Sequence, residues 1–393
     1  MTAADAARSL EVSRATLYAY VSRGFVRSQA SPGSTRERLY ARSDVERLRR
    51  RSEERRAPDK AAARALEWGM PVLESSISCI DGHRLYYRGL DAAMLARSRS
   101  LEEVAALVWT GRLDAPRPPA SGERVMPVRS ILPFAARAHV ALATAAAHDP
   151  AAMDTRMPSV AAAGWRILRL LVSVATQSEA GDEGADRALA RAWRVRGPGA
   201  GILRAALVLC ADHELNVSSF TARCVASAGS HPYAVVMAGL AALEGPKHGG
   251  AGARVEAMLD SMRTARSLRA AMAARVRRGE SIDGFGHPLY PAGDPRARVL
   301  LDGLGERYAQ SAEYRFVTGF ARAAMSVTGE QPNLDFSLAA LSRVLRLPDG
   351  APLMLFAIGR TVGWIGHALE QYATGQLIRP RAKYVGVPPV LAG

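Results

Sequence analysis

The stretch GFGHPLYPAGDPRA, residues 284–297, combines closely spaced glycines, a histidine, prolines and an arginine. Three further segments of the C-terminal half have a similar make-up: GPKHGGA (245–251), PNLDFSLAAL (332–341) and RTVGWIGHALEQ (360–371). Glycine lets a backbone approach a ligand closely, and arginine binds carboxylates through paired hydrogen bonds. The four segments therefore predict a site that holds a small dianion and moves protons around it.

The composition favours a large, mostly α-helical protein. Hydrophobic residues make up 48% of the 393-residue chain, aromatic residues only 6%, and alanine runs are frequent. Alanine is the best helix former, whereas strands prefer β-branched and aromatic residues. A chain of this length can form two or three domains. We expect a succession of helices from about residue 131 onward, including one long helix over residues 253–278.

The sequence lacks the usual signals of a membrane, secreted or metal-binding protein. No apolar run reaches the roughly 18 residues that span a bilayer, and the N-terminus lacks the apolar core of a signal peptide. Cys79, Cys210 and Cys224 are too few and too irregularly spaced for a disulfide framework or a zinc site. We expect a cytoplasmic protein with no metal, no bound cofactor and no membrane partner.

Arginine supplies almost all of the positive charge. The formal net charge is +15, yet only Lys60, Lys247 and Lys383 among the 52 basic residues are lysines. Codon bias can produce such an excess, so the overall charge says little about function. Its distribution says more, because residues 1–57 carry 13 arginines against seven acidic residues. A basic segment of this kind suits binding to nucleic acid, whereas the excess positive charge in the rest of the chain can steer anionic substrates towards a site.

Residues 1–57 have the pattern of a helix, a turn, a second helix and a basic hairpin. Thr2 and Ser13 are suited to cap the two helices, and Gly24 is suited to end the second. The residues placed where such a fold meets DNA are Arg14, Thr16 and Tyr18 in the second helix and Arg38 and Tyr40 in the hairpin.

The wording of this domain, AADAARSLEVSRATLYAYVSRGFV followed by R-x-Y-x-x-x-D-V, resembles the winged helix-turn-helix of the MerR family. The resemblance implies DNA binding through residues 1–57. The alternatives are a helical module that binds protein and a module that keeps the fold without affinity for DNA. A polar segment around Pro58 then predicts a linker over residues 58–65.

The second predicted domain covers residues 66–393. It opens with a short strand over residues 75–80, a second strand that ends at Tyr87, and a helix capped by Ser100. Further helices follow one another to the C-terminal region, which is typical of a protein built from stacked helices.

Three residues of this domain suit the joining of an acyl-thioester methyl group to a ketone. The reaction needs a base for a carbon-bound proton and hydrogen-bond donors for the two carbonyl oxygens. Asp335 is a candidate base, because burial between Leu334 and Phe336 would raise its pKa. His248, in a glycine-rich turn before a helix, suits a neutral imidazole donor for the enolate oxygen. His287 lies in a similar loop and suits polarisation of the keto oxygen.

The order and wording of these segments resemble the citrate synthase family over nearly all of residues 66–393. The resemblance implies a large and a small helical domain, with the small domain at roughly residues 249–335. It implies oxaloacetate and an acyl-CoA as substrates, so that the CoA thioester is a co-substrate rather than a bound cofactor. In those terms His248 and Asp335 generate the enol, His287 protonates the oxaloacetate carbonyl, and water hydrolyses citryl-CoA.

The same resemblance implies the residues that bind the dicarboxylate. Arg296, Arg360 and Arg379 stand where the family has its dicarboxylate-binding arginines, and His213 in ADHELN matches a substrate-binding histidine. Arg379 is implied to reach into the site of the partner subunit, which requires a homodimer.

The chain departs from the family beside His287. Most members continue with an arginine and a basic stretch that helps to hold coenzyme A, whereas this chain has Pro288–Pro291. Lys247 is placed to compensate as a phosphate contact. Three functions stay open: a citrate synthase using acetyl-CoA, a 2-methylcitrate synthase using propionyl-CoA, and a ligand-sensing DNA-binding regulator built on the synthase fold.

Overall fold

The computed structural model describes residues 1–49 without 32, 33, 43 and 47, and then residues 73–115, 130–179, 181 and 183–387. The chain divides into two compact units, Met1–Glu74 and Ser75–Gly393. The predicted linker over residues 58–65 lies outside the described residues. The predicted domain limits, 1–57 and 66–393, therefore stay a prediction.

The first unit has the element order that the sequence predicts. Its elements are α1 (Ala3–Leu10), α2 (Arg14–Ser22) and an antiparallel hairpin of β1 (Ser28–Ser31) and β2 (Ser34–Tyr40). The side chains of Thr2 and Ser13 accept hydrogen bonds from the first turns of α1 and α2, as expected of caps. Leu10, Leu17, Val26 and Val45 pack into a small separate core.

Three short strands open the second unit. They are β3 (Ser78–Asp81), β4 (Arg84–Tyr87) and β5 (Leu90–Asp91), which form one antiparallel sheet in chain order. Ser100 caps the helix that begins at Leu101, and Glu103 completes a capping box by accepting from the Ser100 backbone. The predicted strands and the predicted cap are thus present.

Helices make up most of the described remainder of the second unit, which confirms the mostly α-helical fold class. In chain order they are α3 (Ala92–Ser98), α4 (Leu101–Thr110), α5 (Phe134–His148), α6 (Met157–Thr176), α7 (Ala185–Ala192), α8 (Gly199–Leu209), α9 (Val217–Ser227), α10 (Pro232–Leu243), α11 (Ala251–Ser261), α12 (Leu268–Arg277), α13 (Pro295–Tyr308), α14 (Ala312–Thr328), α15 (Leu334–Leu345) and α16 (Ala351–Thr374).

The single long helix expected over residues 253–278 was wrong. The chain forms α11, leaves the helix at Met262, and starts α12 after Ser267, whose side chain accepts from Ala270 N. No glycine or proline marks this break. The hydroxyl of Ser267 provides a cap that competes with a continuous helix, and periodicity does not reveal which of the two forms.

Helix α16 is the central helix of the second unit. Its residues are almost all buried between Ala351 and Ala368. Glycine lets it lie against neighbouring backbone: a Cβ at Gly359 would stand 2.5 Å from the carbonyl oxygen of Leu207, and one at Gly363 would collide with the Asp212 side chain. The approach holds α16 against the end of α8 and the turn that follows it.

Helix α6 is long and apolar enough to cross a membrane by length and composition. However, 61% of its apolar window is buried inside the protein. Burial of this extent is typical of a core helix.

Candidate active site

Two loops that carry predicted catalytic residues are joined to each other. His287 lies in the loop before α13, and Asp335 lies in the first turn of α15. Asn333 donates from its backbone to Gly284 O at 2.9 Å and from its side chain to Gly286 O at 3.0 Å. Both glycines have positive φ, 86° and 76°, which other residues rarely adopt. The GFGH segment therefore follows the start of α15 closely.

A buried carboxylate, Asp294, connects this pair of loops to a predicted substrate-binding arginine. Its two oxygens accept from Nε and Nη2 of Arg296 at 3.0 and 2.8 Å, and Oδ2 also accepts from Leu334 N at 3.1 Å. Arg296 is 4% exposed. The Arg296 guanidinium holds the pKa of Asp294 below its usual value despite burial. One carboxylate thus fixes Arg296 and the residue before Asp335 together.

Arg360 approaches from the middle of α16. It is 1% exposed, its Nε donates to Cys210 O at 2.8 Å, and its guanidinium lies 4.9 Å from the ring centroid of Phe356. Burial lowers the pKa of this guanidinium. Its Nη1 has no hydrogen-bond partner among the described residues. A buried arginine with an unpaired NH2 group is suited to accept a carboxylate.

The turn after α8 positions His213 through its buried neighbour Asp212. The Asp212 carboxylate accepts from Ser78 Oγ and lies 3.2 Å from Nε2 of His367, a fully buried residue of α16. The Tyr87 hydroxyl donates to carbonyl oxygens of the same region, including Asp212 O. Strand β3, strand β4 and helix α16 therefore hold this turn from different sides.

His213 and His287 meet directly. Their ring centroids are 5.2 Å apart, and Nε2 of His213 lies 2.9 Å from the hydroxyl of Tyr290. Burial lowers the pKa of His213 well below its usual value, and nearby Arg296 lowers it further. The structure thus brings together two of the predicted histidines and a tyrosine.

His287 is a neutral imidazole with a defined tautomer. Burial, with the charge of Arg296 as a second cause, lowers its pKa to about 4. The backbone N–H of Leu289 donates to Nδ1 at 3.2 Å, so Nδ1 is the unprotonated nitrogen. The proton of His287 is therefore on Nε2, which makes Nε2 a hydrogen-bond donor.

His248 also is neutral, in the turn just before α11. Burial lowers its pKa to about 3, with Arg360 as the next cause. Its Nε2 lies 2.9 Å from Ser218 Oγ, which accepts from Trp364 Nε1 at 3.2 Å and lies 2.8 Å from Asn216 Oδ1. The proton of Ser218 can go to either acceptor. When it goes to His248 Nε2, Nδ1 of His248 carries the imidazole proton and can donate it to a ligand.

Asp335 differs from an ordinary aspartate in its acidity. Part of its surface remains accessible, but the surrounding protein removes enough water for burial to raise its pKa from 3.8 to about 7. The charge of Arg296 opposes this rise without cancelling it. The direction of this shift is the one that the sequence leads us to expect.

Arg379 and Lys247 are not part of this cluster within one chain. Arg379 lies after the end of α16 and is exposed, and Lys247 is exposed beside His248. In the first unit Arg14, Tyr18 and Arg38 are exposed and Thr16 is half-buried. Tyr40, in contrast, is 4% exposed and packs in the small core, so its ring supports the hairpin from within.

Sequence reasoning missed three residues of the site: Asp294, Tyr290 and Ser218. Asp294 had a signal, since an aspartate two residues before Arg296 at a helix start can both cap the helix and pair with the arginine. No sequence pattern marks Tyr290 or Ser218 as a site residue, because each contacts a residue far away in the chain. Tyr290 contacts His213, 77 residues away, and Ser218 contacts His248, 30 residues away.

The raised pKa of Asp335 predicts a pH-dependent cost to stability. Between the usual value of 3.8 and about 7 the folded state holds a proton that the unfolded state has lost, so stability falls as the pH rises through this window. Asp335→Asn removes this effect. We expect the variant to gain about 1–3 kcal/mol in the free energy of unfolding relative to wild type between pH 4 and pH 8.

Urea denaturation at pH 4, 6 and 8 measures this difference. The matched control is Asp302→Asn, which changes an exposed aspartate of α13. A constant difference between Asp335→Asn and wild type across the three pH values would contradict a raised pKa.

Two family models and several solved structures match this chain. Residues 65–381 match the family model described as citrate synthase, C-terminal domain, and residues 1–52 match the one described as MerR HTH family regulatory protein. The solved citrate synthase of Thermotoga maritima superposes with a TM-score of 0.68 at 25% identity, covering 82% of this chain and 96% of that one.

Curated relatives carry related names. Putative citrate synthase 2 of Mycobacterium bovis is 40% identical over 189 residues, so this match spans 46% of the chain and only 50% of that relative. Citrate synthase 2 of Bacillus subtilis is 31% identical over 83% of this chain and 96% of its own length. The 2-methylcitrate synthase of Shewanella oneidensis is 28% identical over 82% and 94%.

Proposed function

The chain belongs to the citrate synthase family, and we propose that it condenses acetyl-CoA with oxaloacetate and water to give citrate and CoA. The observation that carries the proposal is the set of protonation states in one site. It consists of a carboxyl group with a pKa of about 7 and two imidazoles held neutral by burial. A carbon-bound proton needs such a base, and two carbonyl oxygens need such donors.

Formation of the enol is the first step. The Asp335 carboxylate removes a proton from the methyl group of acetyl-CoA. A pKa near neutral makes it a stronger base than an ordinary aspartate and still leaves a large share ionised at pH 7. Neutral His248 donates from Nδ1 to the thioester oxygen in the tautomer in which the Ser218 hydroxyl, 2.9 Å away, gives its proton to Nε2 rather than to Asn216 Oδ1.

Carbon–carbon bond formation follows. The enol carbon attacks the keto carbon of oxaloacetate, and the keto oxygen takes a proton from Nε2 of His287 to become a hydroxyl. The Leu289 N–H at Nδ1 keeps the proton of His287 on the nitrogen that this step requires. Water then attacks the thioester of citryl-CoA and gives a proton to Nε2 of His287, which restores the neutral imidazole. The carbon–sulfur bond breaks, and the leaving thiolate takes the proton that Asp335 removed from the methyl group, so that CoA leaves as the thiol.

Two buried arginines bind oxaloacetate in this proposal. Nη1 of Arg360 has no hydrogen-bond partner in the part of the chain that the structure describes, and Arg296 is held by Asp294 beside His213 and His287. Two guanidinium groups match the two carboxylates of the keto acid. Their burial also excludes water, which strengthens the electrostatic attraction.

Propionyl-CoA is the alternative thioester, and it would give 2-methylcitrate. A relative named 2-methylcitrate synthase aligns over 82% of the chain, against 83% for the citrate synthase 2 of Bacillus subtilis. The two thioesters differ by one methylene, worth about 1–3 kcal/mol in a pocket. Pro288–Pro291 in place of a basic stretch leaves Lys247 as the candidate contact for CoA phosphate.

The release of CoA thiol tests the proposed reaction. Purified protein is mixed with oxaloacetate and either acetyl-CoA or propionyl-CoA, and the preferred thioester separates the two synthases. We expect Asp335→Asn and His287→Ala each to lower kcat by about 10²–10⁴ because each removes a proton-transfer group. His148→Ala, which changes an exposed residue of α5, is the control.

Two outcomes would contradict this reading. Unchanged turnover of Asp335→Asn would remove Asp335 as the base. No thiol release from wild type with either thioester, in protein that still binds oxaloacetate, would favour the regulator described below.

Arg379 completes the proposed site across a homodimer. Its exposure after α16 supports a role outside its own chain. We expect Arg379→Ala and Asp335→Asn each to be inactive alone. Co-expressed in equal amounts, they should recover about a quarter of wild-type activity, because half of the dimers are mixed and each holds one intact site. No recovery would mean that Arg379 acts within its own subunit, and full activity of Arg379→Ala alone would mean that it acts in no site.

Binding of DNA is the second candidate function. It is supported by the match of residues 1–52 and by the exposed Arg14 and Arg38. The regulator reading requires that oxaloacetate or acyl-CoA change the affinity for DNA. A dimer would present two such domains to paired half-sites.

Fluorescence anisotropy with fragments selected from a duplex library tests this candidate. We expect the logarithm of the binding constant to fall linearly with the logarithm of the salt concentration, because phosphate contacts release counterions. Arg14→Ala with Arg38→Ala should weaken binding at least tenfold. Arg307→Ala, an exposed arginine of the second unit, should not. No retention of any fragment at low salt would exclude the regulator.

A further inference from the structure

Tyr290 contacts three side chains of the proposed site. It is 2% exposed, and its hydroxyl lies 2.9 Å from Nε2 of His213. Its ring centroid is 4.9 Å from that of His287, and the Arg296 guanidinium lies 5.7 Å from it, over the ring. A single side chain therefore contacts two groups of its own segment, His287 and Arg296, and one from the turn after α8, His213.

Two consecutive turns hold the backbone of Tyr290. Tyr290 N donates to His287 O at 2.9 Å, and Gly293 N donates to Tyr290 O at 2.9 Å. Proline follows the first residue of each turn, as Pro288 and Pro291, where its fixed φ favours turn formation. The prolines that stand in place of a basic stretch therefore make a rigid support for this tyrosine.

The direction of the hydrogen bond between Tyr290 and His213 can be argued from the protonation states. Burial raises the pKa of the Tyr290 phenol, so the phenol keeps its proton. Burial also keeps His213 neutral, with one nitrogen available as an acceptor. If His213 donated instead, the buried phenol proton would lose its partner, which is unfavourable. The phenol therefore donates, and His213 carries its own proton on Nδ1.

We propose that Tyr290 is a positioning residue of the keto-acid subsite, which holds His213 as the Nδ1–H tautomer and supports Arg296 with its ring. The inference rests on the proposed function for the identity of the keto acid. Nδ1 of His213 then always carries the proton, so it donates a hydrogen bond to a bound dianion. An unprotonated Nδ1 would repel that dianion. The ring face favours the cationic guanidinium of Arg296 through cation–π attraction. Specificity for an anionic substrate follows from both contacts.

Tyr290→Phe tests the proposal because it removes the hydroxyl and keeps the ring. We expect the KM for oxaloacetate to rise about tenfold, with kcat within about threefold of wild type, because a lost binding contact acts on KM. In the background of His213→Asn, Tyr290→Phe should have little further effect, since the hydroxyl acts through His213. Tyr372→Phe is the control, as it removes a hydroxyl of a half-buried tyrosine outside the site that donates to Ser230 O.

Nitrogen-15 NMR of histidine-labelled protein gives a readout that does not depend on turnover. His213 is assigned by its loss in His213→Asn among the eight histidines. In wild type we expect Nδ1 protonated and Nε2 as the acceptor, and in Tyr290→Phe we expect both shifts to move. Protonated Nε2 in wild type, or shifts unchanged in the variant, would overturn the proposal.

Calorimetry separates this proposal from the proposed function. If wild type binds oxaloacetate without turnover, the reaction fails but the Kd for oxaloacetate should still rise about tenfold in Tyr290→Phe. If the Kd is unchanged, the positioning role is wrong even in an active enzyme. If wild type does not bind oxaloacetate at all, the keto-acid subsite is refuted together with the proposed function, and the NMR result alone decides the tyrosine–histidine contact.

Discussion

The Asp294 carboxylate is the interaction on which the arrangement of the site depends. It binds Arg296 through two hydrogen bonds and accepts the backbone N–H of Leu334. A buried arginine without such a partner would be costly, and a buried aspartate likewise. Their pairing places a cation within the protein interior and orients the first turn of α15, which carries Asp335. Loss of Asp294 would leave Arg296 without its carboxylate partner and would remove one of the hydrogen bonds that hold the start of α15.

Burial has opposite effects on the acids and the bases of this site, and the site uses both. Removal of water disfavours a charge of either sign, so it raises the pKa of Asp335 and lowers those of His248 and His287. The buried arginines act in the same direction on the histidines. One physical cause thus produces a stronger base and two neutral hydrogen-bond donors. In water the aspartate would be fully ionised at pH 7, and the histidines would be partly protonated.

The central helix α16 links the fold to this chemistry. Glycines at 359 and 363 allow it to lie directly against the end of α8 and the turn after it. That close approach gives Arg360 a carbonyl partner in Cys210 and brings His367 to Asp212, next to His213. The glycines that let α16 pack closely against α8 therefore also place Arg360 and His367 beside their partners.

The sequence by itself determined the fold class, the helix caps at Thr2, Ser13 and Ser100, and the segments that form the site, because caps, glycine turns and residue types act locally. It did not determine where the helix expected over residues 253–278 would break, since Ser267 can cap a helix or continue one. Only the tertiary structure decided that Tyr40 is buried, that Tyr290 meets His213, and which nitrogen of His287 carries the proton. Burial of Tyr40 and the contact between Tyr290 and His213 depend on segments that lie far apart in the chain, and the His287 tautomer depends on the backbone geometry of its loop, which the sequence pattern does not reveal.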